Sequence, residues 1–200
     1  MKRRITISRE FGSGGREFGR RLSEELGIAY YDQEIVSEIA ERTEMSERYV
    51  QSILDSRPAI SYPIHIGRSF YPAFRPVWEH NMSVYREQEK IIKELAAKSD
   101  CIIVGRCSDY ILREMKPIRI FIYADMESKI RRCRQKAAEE EHLTDRELKQ
   151  KIREIDKKRS QYYAFYTGQD WGDRLNYDWC INTTRGSIKE MVPLVARMFR

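Results

Sequence analysis

The stretch that most constrains this chain is its first thirty-two residues. Arg4 to Ser8 (RITIS) is short, β-branched and apolar, which reads as a buried strand. It runs straight into Phe11-Gly12-Ser13-Gly14-Gly15, with three glycines in four positions. From Arg16 to Leu26 the apolar residues Phe18, Leu22 and Leu26 recur every four residues, one face of a helix that Gly27 stops. Ile28 to Asp32 (IAYYD) is a second short strand. Strand, glycine loop, helix, strand is a βαβ unit. Glycines at that junction let backbone N–H groups approach an anion, and the helix dipole favours it. The plainer alternative is a βα turn whose glycines serve packing.

The rest of the chain repeats the alternation. Helices are expected over 33–43, from Ser46 to Leu54 and from Val84 to Lys98, with strands at Cys101–Val104 and Ile118–Tyr123. A short helical turn spans Tyr110–Met115, an arginine-rich helix spans Met126–Glu141, and a longer one follows the capping-box spelling Thr144-x-x-Glu147. A last strand (YDWCIN, 177–182) precedes a helix capped by Ser187. Residues 55–81 stand apart: four of the six prolines fall there, which argues for an irregular insertion or lid. Five short strands separated by helices predict a parallel sheet with helices on both faces. Ligands of such sheets bind beyond the carboxyl ends of the strands. That rule points to Arg9–Gly15, Asp32, Gly105-Arg106, Ala124-Asp125 and Thr183-Thr184.

Composition narrows the class. Two hundred residues suit one domain with enough core to need no disulfide or metal staple. No apolar run approaches the roughly 20 residues that cross a bilayer, and no signal-peptide stretch follows the basic start, so a cytoplasmic protein is expected. Cysteines 101, 107, 133 and 180 show no C-x-x-C spacing, so no metal site is expected; Cys101 and Cys180 read as small core residues. The net charge of +6 favours anionic partners, and four units of it lie between Met126 and Arg159.

The loop departs from the phosphate-loop spelling G-x-x-x-x-G-K-[ST]. In register, Arg9 takes the first Gly position, Gly15 that of the Lys and Arg16 that of the Ser/Thr. The lysine that holds the β- and γ-phosphates is missing, and so is the hydroxyl that ligates magnesium. Arg16, or Arg9, supplies the charge through a bidentate fork, or the loop binds without turnover.

The segment ITISREFGSGGREFGRRLSEELGIAYYDQEIV resembles the start of cytidylate kinases, and more closely the cytidylate kinase-like family with GSGGRE in place of GSGKST. The resemblance continues through QEKIIKELA, CIIVGRCSDYIL, IRIFIYADMESKIRRCR, IREIDKKRSQYYAFYTGQDWGD and YDWCINTT. It implies a three-layer α/β P-loop fold over residues 1–200, with a helical acceptor-binding insertion at 43–98 and an arginine-rich lid at 126–170. It implies transfer of a phosphoryl group from ATP, with Mg2+, to a nucleoside monophosphate acceptor, CMP or dCMP.

On that resemblance, Gly12, Ser13, Gly14, Gly15 and Arg16 bind the donor phosphates, Arg16 standing in for the lysine. Asp32 faces the acceptor nucleotide and Arg106 its phosphate, with Cys107 where the family has Asp. Arg131, preferred over Arg132 and Arg134, closes from the lid together with Arg159 of Asp156-x-x-Arg159. Read without the resemblance, the lid arginines are a solvated basic helix and Asp32 is a strand-end turn residue. Tyr162, Tyr163, Phe165 and Tyr166 read as core packing. Tyr62, Phe70, Tyr71, Phe74 and Trp78 could cover the acceptor base or form a dimer contact. The competing class is a non-catalytic nucleotide-binding or regulatory protein with a degenerate loop. Nucleic acid and membrane partners are not expected, and the chain is read as a monomer or homodimer.

Overall fold

The structure is a computed structural model that describes residues 2–54, 75–136 and 143–199, the side chains of the second segment from 81 onward. Five strands form one parallel sheet: β1 (Arg4–Arg9), β2 (Ala29–Tyr31), β3 (Cys101–Val104), β4 (Ile118–Tyr123) and β5 (Trp179–Asn182), in the order β2-β3-β1-β4-β5. β1 is central. Ile5 lies opposite Ile102 on one side and Ile118 on the other. Strands covered on both faces need no polar alternation, which is why CIIV and RITIS are nearly continuous apolar runs.

Two cores flank the sheet. On one face α1 (Gly15–Leu26) and α8 (Ile188–Arg197) pack Phe18, Leu22, Ile188 and Val192 against Ile5, Ile7, Ile102 and Ile120. On the other, α2 (Glu34–Thr43), α3 (Glu47–Leu54), α4 (Arg75–Lys98), α5 (Ser108–Ile111) and α7 (Asp145–Thr167) bury Ile35, Ile39, Val50, Ile91, Ile92 and Tyr162 against Ile103. The remaining α-helix, α6 (Met126–Lys136), packs on α7 at the carboxyl ends of the strands. Among the described residues no helix is long and apolar enough to cross a membrane.

The capping signals are in place. Thr144 and Glu147 form the reciprocal box that starts α7, and the Ser187 hydroxyl accepts the Glu190 N–H at the start of α8. Two expectations need correction. The segment read as irregular through residue 81 is helical from Arg75, because Pro76 sits in the first turn, where its missing N–H has no helical partner to lose. Cys180 is exposed rather than core, because β5 is an edge strand with alternate residues turned outward. Tyr162 and Tyr163 are core, and Tyr166 stacks on Tyr85 with ring centroids 3.9 Å apart. The aromatic residues of the 55–81 segment lie outside the described side chains.

Candidate active site

β1 ends at Arg9 and delivers the chain to the glycine loop at the carboxyl edge of the sheet. Gly12 and Gly14 have φ of 75° and 83°, left-handed values that a side chain would strain. Gly14 is the N-cap of α1, and its carbonyl accepts the Phe18 N–H at 2.9 Å. Ser13 is fully buried. Its hydroxyl donates to the Glu10 carbonyl at 2.8 Å, and its own carbonyl accepts from the Thr183 hydroxyl at 2.7 Å. The Ser13 hydroxyl thus fastens the loop, while Gly12, Gly14, Gly15 and Arg16 line a cavity of about 710 Å³.

Charged residues far along the chain hold the loop in place. The Phe11 N–H donates to Asp156 Oδ1 at 2.6 Å. Lys129 Nζ bridges Glu10 (2.7 Å) and Asp156 (3.1 Å), and the Ala124 N–H donates to Glu10 Oε2 at 3.2 Å. Burial lifts the Asp156 carboxyl above its ordinary value, against the pull of the Phe11 N–H and Lys129. Arg159 donates to the Arg9 carbonyl at 3.0 Å and lies over the Phe11 ring, 5.7 Å from its centroid. Asp156-x-x-Arg159 is therefore joined directly to the glycine loop.

The arginines of α6 divide. Arg132 and Arg134 line the large cavity, and the Arg132 guanidinium donates to the Thr183 carbonyl. Arg131 is exposed, donates to the Ser128 hydroxyl at 3.0 Å and lines neither cavity.

A second cavity of about 300 Å³ opens beside the first, lined by Ser8, Gln51, Arg106, Lys158, Tyr163 and Trp171 among others. Arg106 donates to Gln51 Oε1 at 3.1 Å, and its carbonyl accepts from Gln88 at 3.0 Å. Gly105, Arg106 and Cys107 all have positive φ, so the chain leaves β3 in a tight left-handed turn that carries the arginine into this cavity. Asp32 is 4% exposed at the end of β2. It forms an ion pair with Arg16, Nε to Oδ2 at 2.5 Å, and lies 3.5 Å from Arg9 Nη2. The two cavities share Arg9, Phe11, Arg16 and Arg159. The site thus brings together Gly12, Gly14, Gly15, Arg16, Asp32, Arg106 and Arg159 and leaves Arg131 outside.

A nucleoside triphosphate fits this lining, since three loop glycines and the side chains of Arg9, Arg16, Arg132, Arg134 and Arg159 border one cavity. The fit to a protein-held magnesium is poorer. No group of three carboxylate, His or Cys side chains converges among the described residues. Glu10 is held by Lys129, Glu17 by Arg21 and Lys136, and Asp32 by Arg16. Magnesium chelated by phosphates and water, as is common, needs no such group.

Lys129 escaped the sequence reading, and Arg132 was passed over for Arg131, because both lie in a basic run with nothing local to single them out. Lys158 sits beside Arg159 in another. Glu10 carried a signal, as the residue that follows the central strand.

The profile of the cytidylate kinase-like family matches residues 4–185. No curated protein matches the chain. Among solved structures, an uncharacterised protein from Eubacterium ventriosum is 23% identical, with a TM-score of 0.69 over 97% of this chain and 96% of its own. Shikimate kinase from Bacteroides thetaiotaomicron is 15% identical, with a TM-score of 0.58 over 98% of each chain. Shikimate kinase from Acinetobacter baumannii, solved with shikimate, is 17% identical, with a TM-score of 0.53 over all of this chain and 93% of its own. At these identities the likeness is one of fold.

Proposed function

Because the chain belongs to the cytidylate kinase-like family, we propose that it transfers the γ-phosphoryl group of ATP to a small acceptor, a nucleoside monophosphate of the CMP or dCMP kind. One observation carries the reading: two cavities meet at a shared wall of Arg9, Phe11, Arg16 and Arg159, at the carboxyl end of the central strand. A donor and an acceptor bound on either side of that wall face each other across positive charge.

In this reading the larger cavity takes the triphosphate against Gly12, Gly14 and Gly15, and the smaller takes the acceptor, with Arg106 on its phosphate. An acceptor oxygen attacks the γ-phosphorus. The bond from that phosphorus to the bridging oxygen breaks, and its electron pair leaves with ADP. Charge spreads over the three equatorial oxygens in transit, so positioning and positive charge supply the catalysis. Arg159 stands at the shared wall for that purpose. Arg132 and Arg134, rather than Arg131, present the lid's charge to the donor cavity. Magnesium, when bound with ATP, supplies further neutralisation of the β- and γ-phosphates.

The loop spelling favours a second reading. With Gly15 and Arg16 in place of Lys and Ser/Thr, the site binds a nucleotide without turning it over. A coupled ADP-release assay decides between them, with MgATP against a panel of nucleoside mono- and deoxymonophosphates, nucleosides and shikimate, and products identified by mass spectrometry. Acceptor-dependent release with a phosphorylated product supports the kinase. Silence across the panel, with ATP still raising the melting temperature, supports the binding protein.

A further inference from the structure

Building on the phosphoryl-transfer reading, we infer that Arg9 is the cation of this phosphate loop: the charge normally carried at the end of the glycine turn is here carried at its beginning, and Arg9 holds the group in transit between the two cavities.

The first argument is steric. Relative to the usual spelling, positions 9 and 15 have exchanged residue types, a cation for a glycine and a glycine for a cation. A Cβ on Gly15 would lie 2.4 Å from Arg9 Cβ and 2.9 Å from its Cγ. Those are stem atoms fixed to β1, not the free end of a side chain. A lysine at 15 and an arginine at 9 therefore exclude each other in this backbone. A second glycine clears the far end of the path. At Gly105, where β3 ends, a Cβ would meet Arg9 Nη1 at 1.9 Å. Two glycines from separate parts of the chain make room for one side chain.

The second argument is electrostatic. The Arg9 side chain is 14% exposed and lines both cavities. Burial, then Arg159, Arg106 and Arg16, push its pKa down to about 9, with Asp32 opposing, so it remains protonated at neutral pH. Arg9 thus feels three other guanidinium groups against one carboxylate, Asp32. Asp32 does not need Arg9, since Arg16 Nε is nearer, at 2.5 Å against 3.5 Å. A desolvated cation held among cations is poorly explained as a stabilising pair. A phosphoryl group, with negative charge on its oxygens, resolves the conflict and meets a planar fork of donors. Arg16, with a side chain 65% exposed, acts through solvent and contributes more to nucleotide affinity than to the transfer step.

The test uses the full chain with Arg9→Met and Arg16→Ala, followed by turnover with the acceptor found above and by melting with and without inorganic tripolyphosphate. The expected result has three parts. Arg9→Met melts at or above the wild type without anion. It loses most of the stabilisation that tripolyphosphate gives the wild type. Its kcat falls by about 100-fold or more with the acceptor KM little changed, whereas Arg16→Ala chiefly raises KM for ATP. An Arg9→Met variant that melts well below the wild type, yet keeps the tripolyphosphate shift and kcat, makes Arg9 a structural partner of Asp32 and overturns the inference. Should the wild type phosphorylate nothing, the kinase reading fails alone. The assignment of Arg9 then stands if the tripolyphosphate shift needs Arg9 and falls if it does not. If Arg9→Met does not fold, Arg9→Gly decides, alone and with Gly15→Lys. An inactive single variant revived by the second change supports the exchange, and a fully active Arg9→Gly refutes it.

Discussion

The Lys129 ammonium lies 2.7 Å from the Glu10 carboxylate, and the lysine side chain is only 6% exposed. Helix α6 is thereby tied to the first residue after the central strand, and the same nitrogen reaches Asp156 on α7. Lys129→Met removes one charge and leaves two carboxylates facing each other. Because both keep some contact with water, the expected destabilisation is roughly 3 kcal/mol, the low end of the range for breaking a buried pair. Urea unfolding measures it. A variant within about 0.5 kcal/mol of the wild type would show that the bridge does not hold the loop.

Gly15→Ala introduces a Cβ at 2.4 Å from Arg9 Cβ. Overpacking of this kind costs about 1–3 kcal/mol. Removing the opposing side chain should relieve it, so Arg9→Gly combined with Gly15→Ala is expected to be less destabilised than the sum of its parts. A double-mutant cycle reads the coupling directly, and additivity would place the two residues out of contact.

Arg106 sits at φ 59°, in the left-handed region, with Cys107 at 53° beside it. Arg106→Gly and Arg106→Ala remove the same charge, but only glycine relieves the backbone. The glycine variant is expected to melt above the alanine variant, by about 1 kcal/mol of stability. Both should raise the acceptor KM while leaving ATP affinity near the wild type. Equal melting would mean that the turn is not strained.

Asp109 is buried and accepts the hydroxyl of Tyr163, a residue lining the smaller cavity, at 2.7 Å. Burial is the largest influence on its carboxyl and raises it above the ordinary 3.8, against the pull of the Tyr163 hydroxyl. A carboxyl raised on folding binds its proton more tightly in the native state. Its contribution to stability is therefore full below the unfolded value and is lost as pH rises through the folded one. Asp109→Asn, which can still accept from Tyr163, should flatten the fall in stability above pH 3.8 and leave stability at pH 7 equal to or above the wild type. An unchanged pH profile would exclude Asp109 as its source.

Much of this was legible locally. β3 and β1 stood out because strands buried on both faces carry unbroken apolar runs, and the caps at Thr144 and Ser187 are spelled within four residues. The early start of α4 was hidden by proline density that a first helical turn tolerates. Cys180 looked like core because its apolar neighbours could not reveal that β5 lies at the sheet edge. The rule that ligands bind beyond the carboxyl ends of parallel strands carried Gly12, Asp32 and Arg106 to one rim of the sheet, the family resemblance added Arg159, and the structure has all four there.

What the sequence determined by itself is the βαβ unit, the parallel class of sheet and the glycine loop at the end of its first strand. Each follows from periodicity or from glycine, properties of neighbouring residues. Only the tertiary structure decided where the cations around that loop sit and what each faces. Lys129 and Arg131 share one basic helix, yet one is buried against Glu10 while the other faces solvent. Arg9 reaches its place because Gly105, from a different strand, leaves its path open. Charge is written residue by residue, but the field it makes depends on burial and on partners distant in the chain.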